Sequence, residues 1–385
     1  MKISSFIIFI SIVLLVYISV NYYIYSRGLA AISKTSVLRN YFIIIFLILA
    51  LAFWIGRILE SLMNNIFTDI LVVIGSFWLA FMLYFFLFAL LFDLLRLMNF
   101  AFGIFPQVIV TNYAKAKLIA LFSTILITTV IVVCGHINFI TPKIEKIAIT
   151  LPQKKSQIKT LNLVAASDIH LGTIVGKSRL VDLVDIINRL DADIILLAGD
   201  IFDEDIGPVI KKNLGDDLRK LKSKYGIFAV TGNHEYIGGA EAAVKYMEDH
   251  RIKVLRDDAI LIDRSFYIVG REDKDKQRFS GTGRKELNEI ISTLDRDYPL
   301  ILLDHQPLNL ETARENKIDL QISGHTHHGQ LWPLNFVTSM IYEISYGYEK
   351  IDNTHYFISS GFAGWGPPVR TGSRTEVVNI KINFE

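Results

Sequence analysis

Residues 161–170 read LNLVAASDIH, a short apolar segment followed directly by Asp168 and His170. The apolar part is typical of a buried β-strand, and the two polar residues after it are possible metal ligands. The same arrangement recurs along the C-terminal part of the chain. Ligand-type side chains follow four other apolar segments, at Asp200, Asn233, His305, and the pair His325 and His327.

Short apolar segments alternate with amphipathic ones after residue 160. Apolar residues at positions 180, 183, 184, 187 and 190 predict a helix over residues 178–190, between strands at 161–167 and 193–198. Such alternation indicates an α/β fold, in which the loops after successive strands meet at one edge of a sheet. In the patterns DIH (168–170) and HTH (325–327), an extended backbone would point both ligand side chains of each pair the same way.

The donor set consists of carboxylate, imidazole and amide groups without thiolate. This chemistry suits Mn, Fe or Zn ions in a reactive site and differs from that of a structural zinc site built on cysteine. The single cysteine, Cys134, lies in an apolar stretch far from the clusters, so it supplies neither a ligand nor a disulfide. The sequence therefore predicts a metal centre of nitrogen and oxygen donors.

These five clusters, in this order and spacing, resemble the calcineurin-like metallophosphoesterase family over roughly residues 160–385. The resemblance implies an α/β sandwich of two mixed sheets flanked by helices, with two divalent ions (Mn, Fe or Zn) as cofactors. The sequences HTHHGQ (325–330), SG (360–361) and PPVR (367–370) are similar to a membrane-associated branch. That branch includes enzymes that act on lipid-linked phosphodiester or pyrophosphate substrates.

The resemblance also implies a role for each residue of the motifs. One ion would be held by Asp168, His170, Asp200 and His327. The other would be held by Asp200, Asn233, His305 and His325, with Asp200 bridging the two. His234 matches the family's histidine that is not a ligand and that stabilises charge or protonates the leaving oxygen. Two such ions would make hydroxide available for attack on phosphorus.

Five further residues are candidates for supporting roles. Asp203 and Glu235 are predicted to orient imidazole rings, although Asp203 would also fit a solvated acidic loop, DED (203–205). Arg271 and Arg370 are predicted to contact phosphate or a headgroup, with ordinary surface charge as the alternative. His328 could touch substrate and, in an extended backbone, would face away from the ions.

The first 142 residues are predicted to form a transmembrane region. Apolar stretches without charged residues, at 3–25, 41–56, 70–92 and 118–140, predict four helices, of which the second extends through flanking residues to about residue 60. A cleaved signal peptide is the alternative for the first stretch, but no small-residue cleavage pattern follows it. Residues 143–160 are predicted to be a linker, and residues 161–385 the catalytic domain. The chain is thus predicted to be an integral, multi-pass protein of the cell membrane.

The charge distribution separates the two parts. Residues 1–142 contain 8 Lys and Arg and 3 Asp and Glu, whereas residues 143–385 contain 32 and 35. The catalytic part therefore has no basic excess that would indicate a nucleic-acid partner. Cations close to the membrane number seven on the side of the catalytic domain and six on the other side. This near balance does not predict which side the domain faces.

The predicted function is that of a membrane-anchored, metal-dependent phosphoric ester hydrolase. Anchoring confines enzyme and substrate to one plane, which favours a lipid or lipid-linked substrate in the bilayer. A phosphodiesterase of soluble, for example cyclic, nucleotides is an alternative with the same ligands. A non-catalytic scaffold that retains the fold is a further alternative, against which the complete ligand set and His234 both argue.

Overall fold

The computed structural model describes residues 3–63 and 65–385 of the chain. The chain divides into two compact units. The first contains the described residues up to His136 together with Gly366–Val369, and the second contains Ile137–Trp365 and Arg370–Glu385.

The first unit consists mainly of long helices. In chain order the helices are α1 (Ile3–Ala31), α2 (Leu38–Leu62), α3 (Ile66–Phe102), α4 (Gln107–Thr111) and α5 (Tyr113–Ile140). All except α4 are long and apolar enough to cross a membrane, which agrees with the four predicted segments. They are longer than the apolar stretches. The 37 residues of α3 extend about 55 Å, more than the roughly 30 Å of a hydrocarbon core.

Close packing of α2 against α3 depends on two glycines. A Cβ atom on Gly75 would lie 2.3 Å from Cα of Phe53, and one on Gly56 would lie 2.9 Å from the backbone nitrogen of Val72. Small residues at helix contacts let two backbones approach in this way, which is the usual means of packing helices in lipid.

The second unit contains two six-stranded mixed sheets. Its strands are β1 (Lys143–Leu151), β2 (Thr160–Ala166), β3 (Ile194–Ala198), β4 (Ile227–Val230), β5 (Ile252–Val254), β6 (Asp258–Ile262), β7 (Phe266–Gly270), β8 (Leu300–Leu303), β9 (Leu320–Ser323), β10 (Gly347–Ile351), β11 (Thr354–Ile358) and β12 (Glu376–Phe384). The strand orders are β1-β12-β2-β3-β4-β5 and β10-β11-β9-β8-β7-β6. A buried apolar cluster with side chains from both sheets lies between them. The predicted α/β sandwich is confirmed.

Further helices follow α5 in the described part of the second unit. They are α6 (Lys177–Arg189), α7 (Gly207–Lys211), α8 (Gly215–Leu218), α9 (Asn233–Gly238), α10 (Ala240–Asp249), α11 (Lys276–Ser280), α12 (Leu287–Ile291), α13 (Leu310–Glu315) and α14 (Leu334–Ile341). Apolar residues of α6 and α10 pack with those of β2, β3 and β4. Residues of α12 and α13 pack with those of β7, β8 and β11. Helices therefore flank both sheets.

The prediction of a linker over residues 143–160 is wrong. β1 occupies Lys143–Leu151 and pairs in parallel with β12 along its whole length. Its lysines and glutamate suggested a solvated segment, but β1 is an edge strand, where charged side chains are common. The second unit starts still earlier, within α5: Phe139 is buried, and the Arg179 guanidinium donates to the carbonyls of Phe139 and Ile140.

The topology gathers the loops that carry the candidate ligands. β2, β3 and β4 run parallel in one sheet, and β7, β8 and β9 run parallel in the other. Because the carboxyl ends of parallel strands share one edge, the loops that follow them are neighbours. The side chains that follow β2, β3, β4, β8 and β9 are the predicted ligands.

Candidate metal centre

A first group of ligand atoms joins the loop after β2 to the loop after β9. Nε2 of His170 lies 3.4 Å from Nε2 of His327, and the latter nitrogen lies 3.6 Å from Oδ1 of Asp168. Asp168 and His170 are buried, whereas His327 is partly exposed. These three side chains can hold one ion, since their donor atoms lie within 4.8 Å of one another.

A second group draws on the loops after β3, β4, β8 and β9. Nε2 of His305 lies 3.1 Å from Oδ2 of Asp200 and 3.3 Å from Oδ1 of Asn233. The same amide oxygen lies 2.9 Å from Nδ1 of His325. Asp200, His305 and His325 also have donor atoms within 4.8 Å of one another and can hold an ion. All seven predicted ligands therefore lie in one place.

Asp200 lies between the two groups. Its Oδ2, at 3.1 Å from Nε2 of His305, is 4.0 Å from Nε2 of His170. Its Oδ1 accepts a hydrogen bond from the backbone N–H of His234 at 2.9 Å, which fixes the carboxylate plane. Burial alone would raise the pKa of Asp200, but the adjacent His305 and His234 hold that pKa well below its usual range. The carboxylate is therefore ionised and is the acid that both groups share.

The ligands are held by a backbone that the sequence patterns did not predict. Five of the seven have positive φ: 51° at Asp168, 49° at His170, 52° at Asp200, 70° at His325 and 48° at His327. The expectation that DIH and HTH are extended is therefore wrong. Each segment turns sharply where its strand ends, and a left-handed conformation at a residue other than glycine is typical of functional sites.

Glycines next to the ligands leave the room that these turns need. A Cβ on Gly232 would lie 2.1 Å from Oδ1 of Asp200, and one on Gly324 would lie 2.2 Å from Oδ2 of Asp168. A side chain at either position would displace a ligand carboxylate, so the glycines of the motifs have a steric role.

The histidines of the site are mostly neutral. Burial lowers the pKa of His170 to about 3 and that of His325 to about 4. Burial and the nearby Arg370 guanidinium hold the pKa of His327 well below its usual range. Burial acts against charge on His305 too, but the adjacent Asp200 carboxylate raises its pKa overall. Nδ1 of His305 lies 2.8 Å from the carbonyl oxygen of Ala198, which leaves Nε2 to face the ligand group.

These residues fit divalent cations. The Nε2 atoms of His170 and His327 lie 3.4 Å apart on rings whose pKa values are both lowered, so these rings are neutral and each can offer a lone pair to a cation. A cation coordinated by both nitrogens and by the Asp168 carboxylate would satisfy all three lone pairs. Metal ligation through Nε2 with Nδ1 bonded to a carbonyl, as at His305, is the usual arrangement for a ligand histidine.

His234 lies beside both groups without belonging to the predicted ligands. Its ring centroid is 4.6 Å from that of His170 and 6.1 Å from that of the half-exposed Trp365. Nδ1 of His234 lies 3.6 Å from Oδ1 of Asp203. Burial opposes its charge, but the carboxylates of Asp200 and Asp203 raise the pKa of His234 to about 9. Asp203 thus lies next to an imidazole, and its role in orienting that ring stays a prediction.

Glu235 supports the site differently from the prediction. It is buried, and its carboxylate accepts backbone N–H bonds from Asp200 at 3.0 Å, Phe202 at 2.9 Å and Gly232 at 2.7 Å. It therefore holds the loops after β3 and β4 together and orients Asp200 through the backbone rather than orienting an imidazole. Burial raises the pKa of Glu235 to about 7.

Of the three residues predicted to contact substrate, Arg271 and Arg370 are buried and His328 is half-buried. Arg271 is buried, donates to Oδ2 of Asp304 at 3.1 Å and also donates to the carbonyl of Lys285. Nδ1 of the half-buried His328 lies 3.0 Å from Oγ of Ser345. Its backbone has φ 46° within a short turn, so strand alternation does not set the direction of its side chain.

Arg370 differs most from the predicted contact with phosphate or a headgroup. Its side chain is fully buried behind His327. Its guanidinium donates to the carbonyl of His327 at 2.8 Å and to that of Ser360 at 2.7 Å, and lies 3.0 Å from Nδ1 of the His327 ring. The geometry favours a role in positioning the His327 loop rather than a contact with a phosphate headgroup.

Replacing Arg370 by Met should therefore weaken cation binding more than it slows the saturated enzyme. Loss of a residue that orients a ligand typically lowers metal affinity by about 10- to 100-fold. The measurement is Mn²⁺ titration of activity, with Arg251→Met, at an exposed arginine, as the control. Unchanged Mn²⁺ dependence in the Arg370→Met variant would contradict the positioning role.

Tyr342 was not singled out from the sequence. Its ring centroid lies 6.2 Å from that of His325, directly after α14. It lies 17 positions from His325 in a segment without any motif, so only the folded chain reveals its place.

Comparison with known proteins agrees with this geometry. A family model described as calcineurin-like phosphoesterase matches residues 161–329. An uncharacterized metallophosphoesterase of Aquifex aeolicus is 30% identical over 255 residues, which cover 64% of this chain and 94% of that protein. The uncharacterized metallophosphoesterase Cj0846 of Campylobacter jejuni is 28% identical over 383 residues, 98% of each chain.

Other similarities are more partial. A transmembrane protein with metallophosphoesterase domain from Danio rerio is 29% identical over 269 residues, 66% of this chain. The chain spans 61% of the length of that relative. Among solved structures, a 5'-nucleotidase precursor from Thermus thermophilus has a TM-score of 0.38 at 17% identity, over 58% of this chain and 54% of that chain.

Proposed function

Because the chain belongs to the calcineurin-like metallophosphoesterase family, we propose that it is a membrane-anchored hydrolase that uses two divalent ions to cleave a phosphodiester or pyrophosphate bond in a lipid or lipid-linked substrate. The observation that carries this proposal is the position of Asp200, whose Oδ2 is 3.1 Å from Nε2 of His305 and 4.0 Å from Nε2 of His170. One carboxylate shared by two ligand groups is what a two-ion site requires.

Ions bound there would polarise a phosphoryl oxygen and lower the pKa of a water molecule toward neutrality. The chain's own residues supply the remaining chemistry. His234, with its pKa raised to about 9, carries a proton at neutral pH and can donate it to the leaving oxygen. The Asp203 carboxylate, 3.6 Å from Nδ1 of His234, favours the protonated form of that ring. Glu235 fixes the loop that presents Asp200.

Anchoring supports a substrate in the bilayer. The relatives that include a membrane-spanning region suggest a membrane protein, and four helices of this chain are suited to cross a bilayer. The tether is shorter than the sequence indicated, since β1 begins only three residues after α5 ends. A domain without a flexible linker cannot search far from the membrane surface, which favours amphiphilic substrates.

A substrate panel tests this proposal. We expect the full-length protein, reconstituted in nanodiscs with Mn²⁺, to hydrolyse components of a membrane lipid extract with a kcat/KM at least about tenfold above that for cyclic nucleotides. The readouts are mass spectrometry of the lipid products and chromatography of the nucleotides. Faster cleavage of cyclic nucleotides would favour the soluble-substrate alternative, and no hydrolysis of any phosphate ester would favour the scaffold.

We also propose an orientation in which the catalytic domain faces away from the cytoplasm. Long domains translocate largely regardless of their charge, so the lysines of β1 and of the residues after it count little. Among residues 1–142, the cations at the opposite ends of the helices are Arg27, Lys34, Arg39, Arg96, Lys115 and Lys117. The cations on the side of the catalytic domain are Lys2 and Arg57. This excess of six cations over two favours the cytoplasm for the loops that contain the six.

Cysteine labelling on intact cells checks the orientation. In a Cys134→Ser background, Lys381→Cys in β12 should react with a membrane-impermeant maleimide, because its side chain is exposed on the catalytic domain. Lys34→Cys, exposed between α1 and α2, should react only after permeabilisation. The reverse pattern would place the catalytic domain in the cytoplasm.

A further inference from the structure

An apolar surface beside the metal centre is exposed in the described part of the chain. It consists of Trp332 and five side chains of α14, and we call it the apolar ridge; its members are Trp332, Leu334, Phe336, Val337, Met340 and Ile341. None of the eight residues of α14 is buried. Met340 is 78% exposed and Ile341 is 65% exposed, although both are large and apolar.

The composition of this segment does not suit contact with water. Residues 331–342 read LWPLNFVTSMIY and contain no charged side chain. A surface helix of a soluble domain normally turns its apolar residues toward a core and presents charged residues to water. A contiguous exposed apolar patch of this kind marks a surface that contacts a protein, a membrane or a ligand.

The position of the ridge indicates that a membrane is the contact surface. Within the second unit, Nδ2 of Asn138, in the last turn of α5, donates to the carbonyl of Arg370 at 3.1 Å. The next residue, Thr371, accepts a hydrogen bond on Oγ1 from the backbone N–H of Trp332 at 3.0 Å. The ridge is thus connected through two hydrogen bonds to the end of a helix that is suited to cross a membrane.

We propose that the apolar ridge lies in the interfacial layer of the bilayer that holds the N-terminal helices of the same chain. A short apolar helix bounded by aromatic residues, here Trp332 and Tyr342, is suited to lie in that layer. The ridge is linked to the last turn of α5 through residues 370 and 371, so reaching this layer requires no long linker.

The ridge is joined to the metal centre at both ends. Before it, the turn His327–Gly329 contains a ligand; after it, the ring of Tyr342 lies 6.2 Å from that of His325. A ridge in the interfacial layer would hold the ligands near the level of lipid headgroups. A phosphate group could then reach them while its acyl chains stay in the bilayer. This last consequence, unlike the membrane contact itself, rests on the proposed function.

Depth-dependent quenching tests the contact. The full-length Cys134→Ser protein with Met340→Cys is labelled with an environment-sensitive fluorophore and placed in nanodiscs of phosphatidylcholine and phosphatidylglycerol. Lipids with a nitroxide near the headgroup should quench the label at least about threefold more than they quench a label at Lys222→Cys. Lys222 is an exposed residue before β4, at the opposite edge of the sheet from the metal centre. Unchanged Mn²⁺ binding verifies that both variants are folded.

Two outcomes would overturn the inference. A Met340→Cys label that aqueous iodide quenches but nitroxide lipids do not would mean that the ridge faces water. A label shielded from both quenchers, together with cross-linking of Met340→Cys between chains, would mean that a second copy covers the ridge. Neither outcome depends on substrate. A substrate panel without lipid hydrolysis would instead contradict the proposed function and leave the membrane contact standing.

Discussion

The Asp200→Asn variant should lose phosphoesterase activity on the order of 10³-fold, because cation charge stabilises the transition state by several kcal/mol. Asp200 is the ligand that both groups share, with Oδ2 at 3.1 Å from Nε2 of His305 and 4.0 Å from Nε2 of His170. Asparagine keeps the shape of the side chain and removes its charge. Bound Mn²⁺, measured by inductively coupled plasma mass spectrometry after dialysis, should fall below one ion per chain.

The matched control for this variant is Asp205→Asn. Asp205 is an exposed acid of the same loop, and its Oδ1 accepts a hydrogen bond from the backbone N–H of Gly207. It should retain wild-type activity and Mn²⁺ content. An Asp200→Asn variant with full activity would exclude the shared carboxylate, and with it the two-ion site. A variant that loses activity but retains two tightly bound ions would mean that Asp200 acts in the reaction and is not needed to hold the ions.

The His234→Gln variant should lose about 10²- to 10⁴-fold in kcat, the usual contribution of a positioned acid, while it retains both ions. The raised pKa of His234, about 9, keeps its proton in place at neutral pH, and glutamine cannot donate a proton in its stead. The protonated form is lost as the pH rises through about 9, so the kcat of the wild-type enzyme should decrease above that pH. The kcat of the His234→Gln variant should not decrease there.

The leaving group separates acid catalysis from a structural effect. An alkyl phosphodiester needs a proton on its departing oxygen, whereas a p-nitrophenyl ester does not, so His234→Gln should harm the alkyl substrate far more. His355→Gln is the control, at a histidine of β11 bonded to the Tyr348 hydroxyl. Equal loss on both substrates would contradict proton donation and indicate damage to the site as a whole.

The seven candidate ligands could be found in the sequence because each lies within four residues of the end of a strand, and the apolar residues of the strands reveal them. Asp168 follows β2, Asp200 follows β3 and His305 follows β8. Parallel pairing of the strands brings the ends of neighbouring strands, and the residues after them, to one edge of each sheet. The four apolar helices were predictable for a similar reason, since membrane spanning requires long runs of apolar side chains. Local composition carries both signals.

Burial of charged residues was not predictable in the same way. Arg370 and Arg271 resemble phosphate contacts in sequence, yet both are buried, with partners that are distant in the chain or are backbone carbonyls. β1 resembles a linker because its lysines are visible in sequence and its partner, β12, lies more than 200 residues later. An edge strand is defined by pairing, which composition does not encode.

The sequence by itself determined which residues make up the candidate metal centre and that four long apolar segments precede an α/β domain, because motif spacing and hydropathy are local properties. Only the tertiary structure decided how those residues are held: in left-handed turns at Asp168, His170 and His327, braced by Glu235 and Arg370. It alone also decided that α14 stays exposed. Backbone strain and burial depend on which distant segments meet, and no single stretch of sequence specifies that meeting.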